Sequence, residues 1–303
     1  MVLTDVVNTF GAAMRARFGE RAHKVAIDAG FTCPNRDGSK GRGGCTFCNN
    51  RSFNQSRRSQ GIAAQIEAGR RVVAETTGAR LLIAYFQAYT NTYAAVETLR
   101  ACYDEALAEG DVVGLAVGTR PDCCPDAVLD LLAQYRDRGI LVWLELGLQS
   151  SFDESLARVN RGHGFAEYRA AVHAARGRGL PVCTHLIVGL PGEDATHADT
   201  TLSRVLEEGV DGLKLHPLHV IKGTRLARGY REGEYRPWAL DEYVQTACDL
   251  IERTPKTVIF HRLTATAPPA LLLAPAWCMG RWRVLNAIEA ELLRRHTAQG
   301  AHV

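Results

Sequence analysis

The sequence predicts an α/β fold, either a barrel of parallel strands or an open part of one, in which each strand is followed by a helix. Two observations predict it. Six short apolar runs alternate with helical patterns, and several of these runs are apolar throughout, as in parallel strands that are covered on both faces. The chain has 303 residues, and such a barrel needs about 250. Periodicity alone does not distinguish this fold from a doubly wound open sheet.

The elements follow one another in a regular order. The first 21 residues predict an amphipathic helix, because Val6, Phe10, Met14 and Phe18 fall on one stripe. The candidate strands are residues 24–30, 81–86, 112–117, 140–146, 181–189 and 211–218, and the helical patterns lie at about 60–77, 93–109, 125–138, 165–178 and 195–208. A helix near 240–253, a strand at 257–263 and a closing helix at about 281–296 come last. We therefore expect an N-terminal helix (1–22), a barrel core (23–220) and a C-terminal extension (221–303) packed on the barrel.

The composition is that of an ordinary globular protein, with 46% hydrophobic and 23% charged residues. No apolar run approaches the roughly 20 residues that span a bilayer, and the N-terminus lacks the layout of a signal peptide. These features predict a cytoplasmic protein without a membrane partner. The net charge of +3 is too small to identify a partner by itself.

Nine cysteines in such a chain indicate metal or redox chemistry rather than a disulfide framework. Cys102, Cys183 and Cys248 lie in apolar helix or strand patterns, where free cysteine packs as a small hydrophobic residue. The pattern assigns no role to Cys123, Cys124 and Cys278.

The remaining three cysteines share one polar, glycine-rich loop after the first strand, GFTCPNRDGSKGRGGCTFCNN. Eleven residues separate Cys33 from Cys45, and two separate Cys45 from Cys48. Three thiolates can hold three irons of a cubane cluster and leave the fourth iron open. A structural zinc site is the main competitor, but it normally needs four protein ligands. No fourth cysteine or histidine follows at the spacing of a zinc finger.

The CTFC motif in this position resembles the radical S-adenosylmethionine superfamily, and the long spacing before it resembles the branch of the Elongator catalytic subunit. FTCPNRDG…GCTFCNN, YFQAYTNTYA, VGTRPDC, ELGLQSSFDESL, HLIVGLPGE and LKLHPLHVIKGT resemble the YhcC/YtqA-type family more closely, and they cover nearly the whole chain. This resemblance implies a partial (β/α)6 TIM-type barrel. It also implies a 4Fe–4S cluster on Cys33, Cys45 and Cys48, with S-adenosylmethionine as the source of a 5′-deoxyadenosyl radical.

The same resemblance implies which residues contact S-adenosylmethionine. Phe47 is expected to pack near the adenine. Gln87, Tyr89 and Asn91 lie at the end of strand two, where relatives carry a glycine-rich segment against the methionine amine. This sequence lacks the glycine-rich form, so a polar loop at a strand end is the alternative for these three residues.

Further contacts are expected at the later strands. Gln149 and Arg161 match positions that contact the cofactor in relatives similar to the coproporphyrinogen dehydrogenases, and Arg161 fits a bidentate pair with the methionine carboxylate. The backbone of Ile187 is expected to meet the adenine edge, and His185 the ribose. The other candidate cofactor contacts at strand ends are Thr119 and His216. Arg120 and Asp122 form either a catalytic pair or a structural ion pair.

The resemblance gives two candidate substrates. The first is the wobble uridine of tRNA, with conversion of 5-carboxymethylaminomethyluridine to 5-aminomethyluridine. The second is a small metabolite or a tetrapyrrole. A third hypothesis is that the protein is a metal-binding scaffold without catalytic activity. Implied partners are tRNA and a cytoplasmic electron donor such as flavodoxin or ferredoxin.

Arginine clusters are candidate phosphate contacts, although solvated helix faces explain most of them. The clusters are Arg57–Arg58, Arg70–Arg71, Arg281 with Arg283, and Arg294–Arg295. Trp277 and Trp282 beside the C-terminal helix are expected either to contact a base or to pack the tail on the barrel.

Overall fold

The computed structural model describes residues 2–52 and 60–303. Its central feature is a sheet of seven parallel strands, in the order β1, β2, β3, β4, β5, β6, β8. These strands are β1 (Ala22–Ile27), β2 (Leu81–Phe86), β3 (Val112–Thr119), β4 (Leu141–Gln149), β5 (Val182–Val188), β6 (Gly212–Pro217) and β8 (Ile259–Arg262). A second, antiparallel pair consists of β7 (Val220–Ile221) and β9 (Leu272–Ala274). The parallel α/β partial barrel expected from the sequence is confirmed.

Helices connect the strands and cover the outer face of the sheet. They are α1 (Leu3–Val6), α2 (Phe10–Phe18), α3 (Pro34–Asp37), α4 (Ile62–Thr77), α5 (Val96–Leu107), α6 (Asp126–Asp137), α7 (Asp153–Arg158), α8 (Phe165–Gly177), α9 (Ala195–Glu207), α10 (Arg225–Arg231), α11 (Leu240–Glu252) and α12 (Arg281–Arg294). Their apolar stripes and the outward strand residues form one continuous core. Burial of this apolar surface is the main force that holds the helices against the sheet. Within the described residues, no helix combines the length and apolar composition needed to cross a bilayer.

The N-terminal segment differs from the single helix that its periodicity predicts. It forms two short helices, because the chain between them turns extended and Thr9 pairs with Phe260 in an isolated β-bridge. The Thr9 hydroxyl then caps α2 by accepting a hydrogen bond from the Ala12 amide. Phe10 and Met14 of α2 pack with the inward side chains of the strands.

The C-terminal segment supplies one strand beyond the six predicted before residue 220. Ile259 and Phe260 of β8 pair with Gly212 and Leu213 of β6, which extends the parallel sheet. The strand expected at residues 257–263 is therefore an edge strand of the parallel sheet. The sheet ends at β1 on one side and at β8 on the other.

A buried carboxylate lies inside the sheet's concave side. Glu145 of β4 is fully buried, and four basic groups from other strands surround it. They are Lys24 of β1 at 2.5 Å, Lys214 of β6, His185 of β5 at 2.9 Å and His261 of β8 at 3.4 Å. Although burial raises the pKa of Glu145, Lys214 and Lys24 hold it well below its ordinary value. One charged carboxylate therefore joins five strands.

A tyrosine adds a sixth strand to this cluster. The Lys214 ammonium donates to the Tyr85 hydroxyl of β2 at 3.0 Å. Burial lowers the pKa of Lys214 to about 7, although the Glu145 carboxylate opposes this effect. We refer to Lys24, Tyr85, Glu145, Lys214 and His261, together with His185, as the Glu145 cluster.

We predict that Glu145→Gln strongly destabilises the fold. Neutralising the carboxylate leaves the surrounding lysines without a counter-charge in a buried site, and breaking a buried ion pair in this way costs about 3–5 kcal/mol. The measurement is the free energy of unfolding in urea. Glu67→Gln is the matched control, because Glu67 pairs with Arg70 and Arg71 on the exposed side of α4, and its unfolding midpoint should stay nearly unchanged. Equal losses in the two variants would contradict the role assigned to the cluster.

Candidate active site

The cysteine loop leaves the carboxyl end of β1 and folds into a compact turn. Cys33 precedes the first residue of α3, and Cys45 is buried. Gly43 and Gly44 have φ values of +81° and +74°, in the left-handed region that glycine adopts without strain. These two residues turn the chain immediately before Cys45, and Cys48 follows one further turn on, with its amide donating to the Cys45 carbonyl at 3.1 Å.

Polar groups from elsewhere in the fold hold this loop in place. Asn35 donates to the Cys45 sulfur at 3.8 Å and to the Asn160 carbonyl after α7. The Arg36 guanidinium donates to the Cys48 carbonyl at 2.8 Å. Burial, with Cys45 nearby, raises the pKa of the Cys48 thiol, and Arg36 opposes that rise. The loop is therefore anchored by side chains that contact its backbone carbonyls and the Cys45 sulfur.

The arrangement of the three sulfurs fits a cluster better than a single zinc ion. Around a tetrahedral zinc, sulfur ligands lie about 3.8 Å apart, because each Zn–S bond is about 2.3 Å long. In the part of the chain that the structure describes, the sulfurs of Cys33, Cys45 and Cys48 do not form a group in which all three lie within 4.8 Å of one another. A cubane binds each thiolate through a different iron and keeps the sulfurs farther apart.

One cavity connects the cysteine loop to the carboxyl ends of the strands, and we call it the main cavity. Nearly all the residues singled out in the sequence meet there. Its wall contains Cys33, Cys45, Cys48, Phe47, Gln87, Tyr89, Thr119, Gln149, Arg161, His185, Ile187 and His216. The polar strand ends thus converge on one edge of the sheet, as parallel strands require.

Asn91 is the exception, because its side chain does not line the main cavity. Its amide donates to the carbonyls of Phe86 at 3.0 Å and Gly118 at 2.8 Å. These bonds join the ends of β2 and β3, and they leave the side chain fully buried. The Asn91 side chain therefore lies behind the cavity wall and joins the two strand ends, and its contact with the cofactor stays a prediction.

Arg161 lies between the cysteine loop and β4. Its guanidinium donates to the Cys45 sulfur at 3.6 Å and to the Gly147 carbonyl. Its Nε is buried and has no hydrogen-bond partner in the described structure. A Cβ at Gly147 would lie 2.8 Å from this guanidinium, so only glycine permits the close approach. An unpaired buried donor of this kind fits an anionic ligand in the cavity.

Two wall residues have strained backbones. Tyr89 and Gln149 adopt φ values of +61° and +84°, a conformation that costs non-glycine residues of order 1–3 kcal/mol. Both lie where a strand ends at the main cavity. Such strain persists only where the surrounding structure fixes it, and it clusters at functional sites.

The charges of the main cavity are positive. Four guanidinium groups line it, from Arg36, Arg120, Arg161 and Arg262, and none of its described lining residues is an aspartate or glutamate. Arg120 is compensated just behind the wall, where it forms a buried ion pair with Asp122 at 2.9 Å. The ion pair that was expected as one of the two alternatives is therefore present. The other guanidinium groups favour anionic ligands in the cavity.

The cavity histidines add hydrogen bonds rather than charge. Burial, with Lys214 nearby, lowers the pKa of His185 to about 4, and burial lowers the pKa of His219 to about 4. Burial and the Arg262 guanidinium lower the pKa of His216 well below its ordinary value. All three rings are neutral at pH 7. His185 belongs to the Glu145 cluster, so the cluster and the cavity share a wall.

A second depression opens between the two edge strands, β1 and β8, and we call it the side cleft. Its charged lining residues are Arg262, Arg281 and Lys24, of which Lys24 is paired with Glu145. Burial lowers the pKa of His23 and, with Lys24 nearby, that of His261. The described lining of the cleft contains no acidic residue. Arg262, Gln87 and Ser52 line both the side cleft and the main cavity. The cleft is therefore a lateral approach to the cavity.

The two tryptophans near the C-terminal helix, Trp277 and Trp282, differ in their surroundings. Trp277 packs against Tyr243 and donates to the Trp238 carbonyl at 3.1 Å, so it fastens the tail. Trp282 is 63% exposed, and the Arg281 guanidinium lies 4.9 Å from its ring centre. This exposed pair adjoins the side cleft.

The other arginine clusters mostly form ion pairs. Arg295 is bound by the carboxylates of Asp249, Glu252 and Glu291, and Arg294 pairs with Glu291. The expectation that these two contact phosphates is therefore not supported by their surroundings. Arg70 and Arg71 likewise pair with acidic neighbours, namely Glu67, Glu109 and Asp111. Arg57 and Arg58 lie outside the described residues.

Burial makes the other cysteines poor nucleophiles. Cys183, Cys248 and Cys278 are fully buried, and burial raises the pKa of Cys248 to about 12. Cys102 on α5 is partly exposed, and burial also raises its pKa. Cys123 and Cys124 lie beside the Arg120–Asp122 pair, where burial raises the pKa of Cys123 to about 12. None of the six lines the main cavity.

Sequence analysis missed three residues of the site. Glu145 and Lys214 stand in continuously apolar strands and read as isolated charges, and Arg262 lies in the C-terminal segment far along the chain from the cysteine loop. A charged residue within an apolar strand was the available signal, because such a charge needs buried partners. Only the sheet order brings those partners together.

A parallel half-barrel with three thiols in the loop after its first strand defines an enzyme of the iron–sulfur partial-barrel class. The chain belongs to the radical S-adenosylmethionine superfamily: the model of the Radical SAM superfamily matches residues 33–205, and that of the Radical_SAM C-terminal domain matches residues 210–294. The superfamily uses a 4Fe–4S cluster and S-adenosylmethionine, which are therefore the cofactors of this enzyme.

Proteins similar to this chain divide into two groups. Protein YhcC of Escherichia coli strain K12 is 49% identical over 99% of this chain and 96% of its own length. YtqA of Bacillus subtilis strain 168 is 41% identical over 97% and 91%. More distantly, the tRNA uridine(34) acetyltransferase of Dehalococcoides mccartyi is 32% identical over 54% of this chain, which is 35% of that protein.

A solved structure has the same fold. The archaeal Methanocaldococcus infernus Elp3, with an N-terminal deletion, superposes with a TM-score of 0.67. The match covers 92% of this chain and 64% of that one, at 19% sequence identity.

Proposed function

We propose that this chain is a radical enzyme that modifies the wobble uridine of tRNA, converting 5-carboxymethylaminomethyluridine to 5-aminomethyluridine. The observation that carries the proposal is the side cleft, which is lined by Arg262 and Arg281 and by no described acidic residue, and which shares Arg262, Gln87 and Ser52 with the main cavity. The relatives support a tRNA substrate, because the similar protein of Dehalococcoides mccartyi is a tRNA uridine(34) acetyltransferase.

In this proposal Cys33, Cys45 and Cys48 hold the 4Fe–4S cluster. They share one loop and one wall of the main cavity, and thiolates are the preferred ligands of iron–sulfur clusters. When bound, the cluster and S-adenosylmethionine supply a radical that removes a hydrogen atom from the substrate. A flavodoxin or ferredoxin would deliver the electron that starts this reaction.

We predict that protein reconstituted without oxygen holds four irons through these three cysteines alone. Alanine at Cys33, Cys45 or Cys48 should abolish the cluster, because each supplies one iron ligand. The measurements are iron content and visible absorbance. Alanine at Cys102, Cys183 or Cys248 is the matched control and should leave both unchanged, since their side chains lie outside the main cavity. Loss of the cluster in a control variant that remains folded would overturn the assignment.

The remaining wall residues are arranged to hold S-adenosylmethionine. We assign its methionine carboxylate to Arg161, which combines a position beside Cys45 with an unpaired buried Nε. Phe47, on the loop, and Ile187, at the end of β5, offer apolar surface for the adenine. Gln87, Tyr89, Thr119, Gln149, His185 and His216 provide the polar groups of the same wall.

We predict that Arg161→Lys weakens S-adenosylmethionine binding about ten- to a hundredfold, because lysine keeps the charge and loses the planar fork. Titration of the reconstituted enzyme measures the affinity. The cluster absorbance of the same sample is the control, and it should match that of the wild type. Unchanged affinity would show that Arg161 serves only to hold Gly147 and the cysteine loop.

RNA docking would use the outer end of the side cleft. Arg281 supplies a cation for a phosphate, and the exposed Trp282 ring beside it supplies a face on which a base can stack. An anticodon-loop base is unpaired and can be turned outward into a pocket. Such a base would pass along the cleft to the main cavity.

The proposed reaction balances as an oxidation followed by hydrolysis. The methylene carbon next to the carboxylate loses one hydrogen atom to the radical, then one electron and one proton, to give an imine with the neighbouring nitrogen. Water adds to the imine carbon and releases the amine of 5-aminomethyluridine and glyoxylate. The two electrons lost by the substrate equal those consumed when S-adenosylmethionine is cleaved to methionine and 5′-deoxyadenosine.

We predict that tRNA bearing 5-carboxymethylaminomethyluridine is converted by the reconstituted enzyme, with glyoxylate and 5′-deoxyadenosine formed in equal amounts. Nucleoside profiling of tRNA from a strain lacking the gene should show the substrate accumulating. Binding should weaken with salt, and Arg281→Gln should lower the salt slope by about 0.7–0.9 per lost phosphate contact. Arg169→Gln is the matched control, because Arg169 is an exposed arginine that lines neither the cavity nor the cleft.

An unaltered nucleoside profile, or enzyme that binds no tRNA at low salt, would refute the tRNA substrate. The radical chemistry would then act on a small metabolite or a tetrapyrrole.

A further inference from the structure

Arg262 differs from the other guanidinium groups of the main cavity. Arg120 is paired with Asp122, Arg36 donates to the Cys48 carbonyl, and Arg161 donates to the Gly147 carbonyl and the Cys45 sulfur. Among the described residues, Arg262 has a single hydrogen-bond partner, the neutral ring of His216, and no carboxylate within 4.0 Å. Its positive charge is therefore uncompensated at the cavity wall.

His216 holds this guanidinium in a defined orientation. The Nη1 of Arg262 lies 3.0 Å from Nε2 of His216. A guanidinium only donates, so Nε2 is the acceptor and the ring proton is on Nδ1. Burial and Arg262 lower the pKa of His216, which keeps the ring neutral and able to accept. Among residues 2–52 and 60–303, no partner occupies the other guanidinium donors, which can face a ligand.

The position of Arg262 separates it from Arg161, to which we assign the methionine carboxylate. It ends β8, the edge strand of the sheet, and it lines both the main cavity and the side cleft. Arg161, by contrast, lies against Cys45 on the cluster side of the cavity. A group that comes along the cleft reaches Arg262 where the cleft meets the cavity.

We propose that Arg262 binds a carboxylate on the reacting group of the substrate, and that this group enters through the side cleft. The planar fork of arginine matches a carboxylate with two parallel hydrogen bonds. This inference rests on the proposed function, and it deepens it by naming the residue that selects the carboxymethyl group. It makes Arg262 a specificity-determining residue, since the product of the reaction lacks the carboxylate.

The test uses reconstituted enzyme with S-adenosylmethionine and two anticodon stem-loop RNAs. In one, the wobble uridine carries the carboxymethylaminomethyl group; in the other, the same group ends in a neutral carboxamide of nearly equal shape. The wild type should bind the carboxylate RNA about ten- to a hundredfold more tightly than the carboxamide RNA. Arg262→Gln should bring the ratio of the two affinities close to one, and Arg262→Lys should keep part of the preference.

The controls isolate the carboxylate contact. Cluster absorbance and S-adenosylmethionine affinity should be unchanged in Arg262→Gln, which shows that the variant is folded and that the cofactor site is intact. Arg169→Gln removes the same charge elsewhere and should keep the full preference. The affinity of Arg262→Gln for the carboxamide RNA should equal that of the wild type, because its phosphate contacts remain.

Three outcomes separate the two proposals. Equal wild-type affinity for the two RNAs overturns the role of Arg262 and leaves the tRNA substrate in place. A preference that survives in Arg262→Gln does the same. Absence of salt-dependent binding by either RNA refutes the proposed function, and the inference about Arg262 then falls with it.

Discussion

The buried carboxylate of Glu145 is the constraint on which the arrangement of this fold depends. It receives Lys24, His185, Lys214 and His261 from four other strands, and Lys214 extends the cluster to the Tyr85 hydroxyl. A half-barrel leaves its concave side less completely packed than a closed barrel, and charges buried there must be paired to be tolerated. The cluster therefore fixes how six strands stand relative to one another. It also sets the positions of the strand ends, where the main cavity forms, and burial, with Lys214 of the cluster nearby, keeps the His185 ring neutral at the cavity wall.

The distribution of charge separates structure from chemistry. The carboxylates that pair with basic residues lie away from the cavity surface. Asp122 pairs with Arg120 behind the cavity wall, and Glu145 pairs with the lysines inside the sheet. The wall itself carries guanidinium groups and no described carboxylate. A thiolate-ligated cluster and the carboxylate of S-adenosylmethionine are both anionic, so this field attracts them. Arg262 and Arg281 continue the positive charge into the side cleft.

The C-terminal segment contributes to the site as well as to packing. Its strand β8 completes one edge of the sheet and carries His261 into the Glu145 cluster and Arg262 to the cavity. Of its two tryptophans, Trp277 packs against the rest of the fold and Trp282 is exposed to solvent. A segment of this kind can vary the substrate while the barrel keeps the radical chemistry, because fold and cofactor do not fix the substrate.

The sequence by itself determined the class of fold, the cysteine loop and most of the cavity wall. These features depend on local patterns: continuously apolar strands, glycines between Cys33 and Cys45, and polar residues just after each strand. Parallel strands bring such residues to one edge whatever the details of packing. The tertiary structure decided what depends on side-chain partners. In the folded chain, the Asn91 side chain joins the ends of two strands and Arg295 lies among three carboxylates. Arg262 lies beside His216 and has no carboxylate partner among the described residues. No periodicity reports which buried charges meet, because that is set by the order of strands that are distant in the chain.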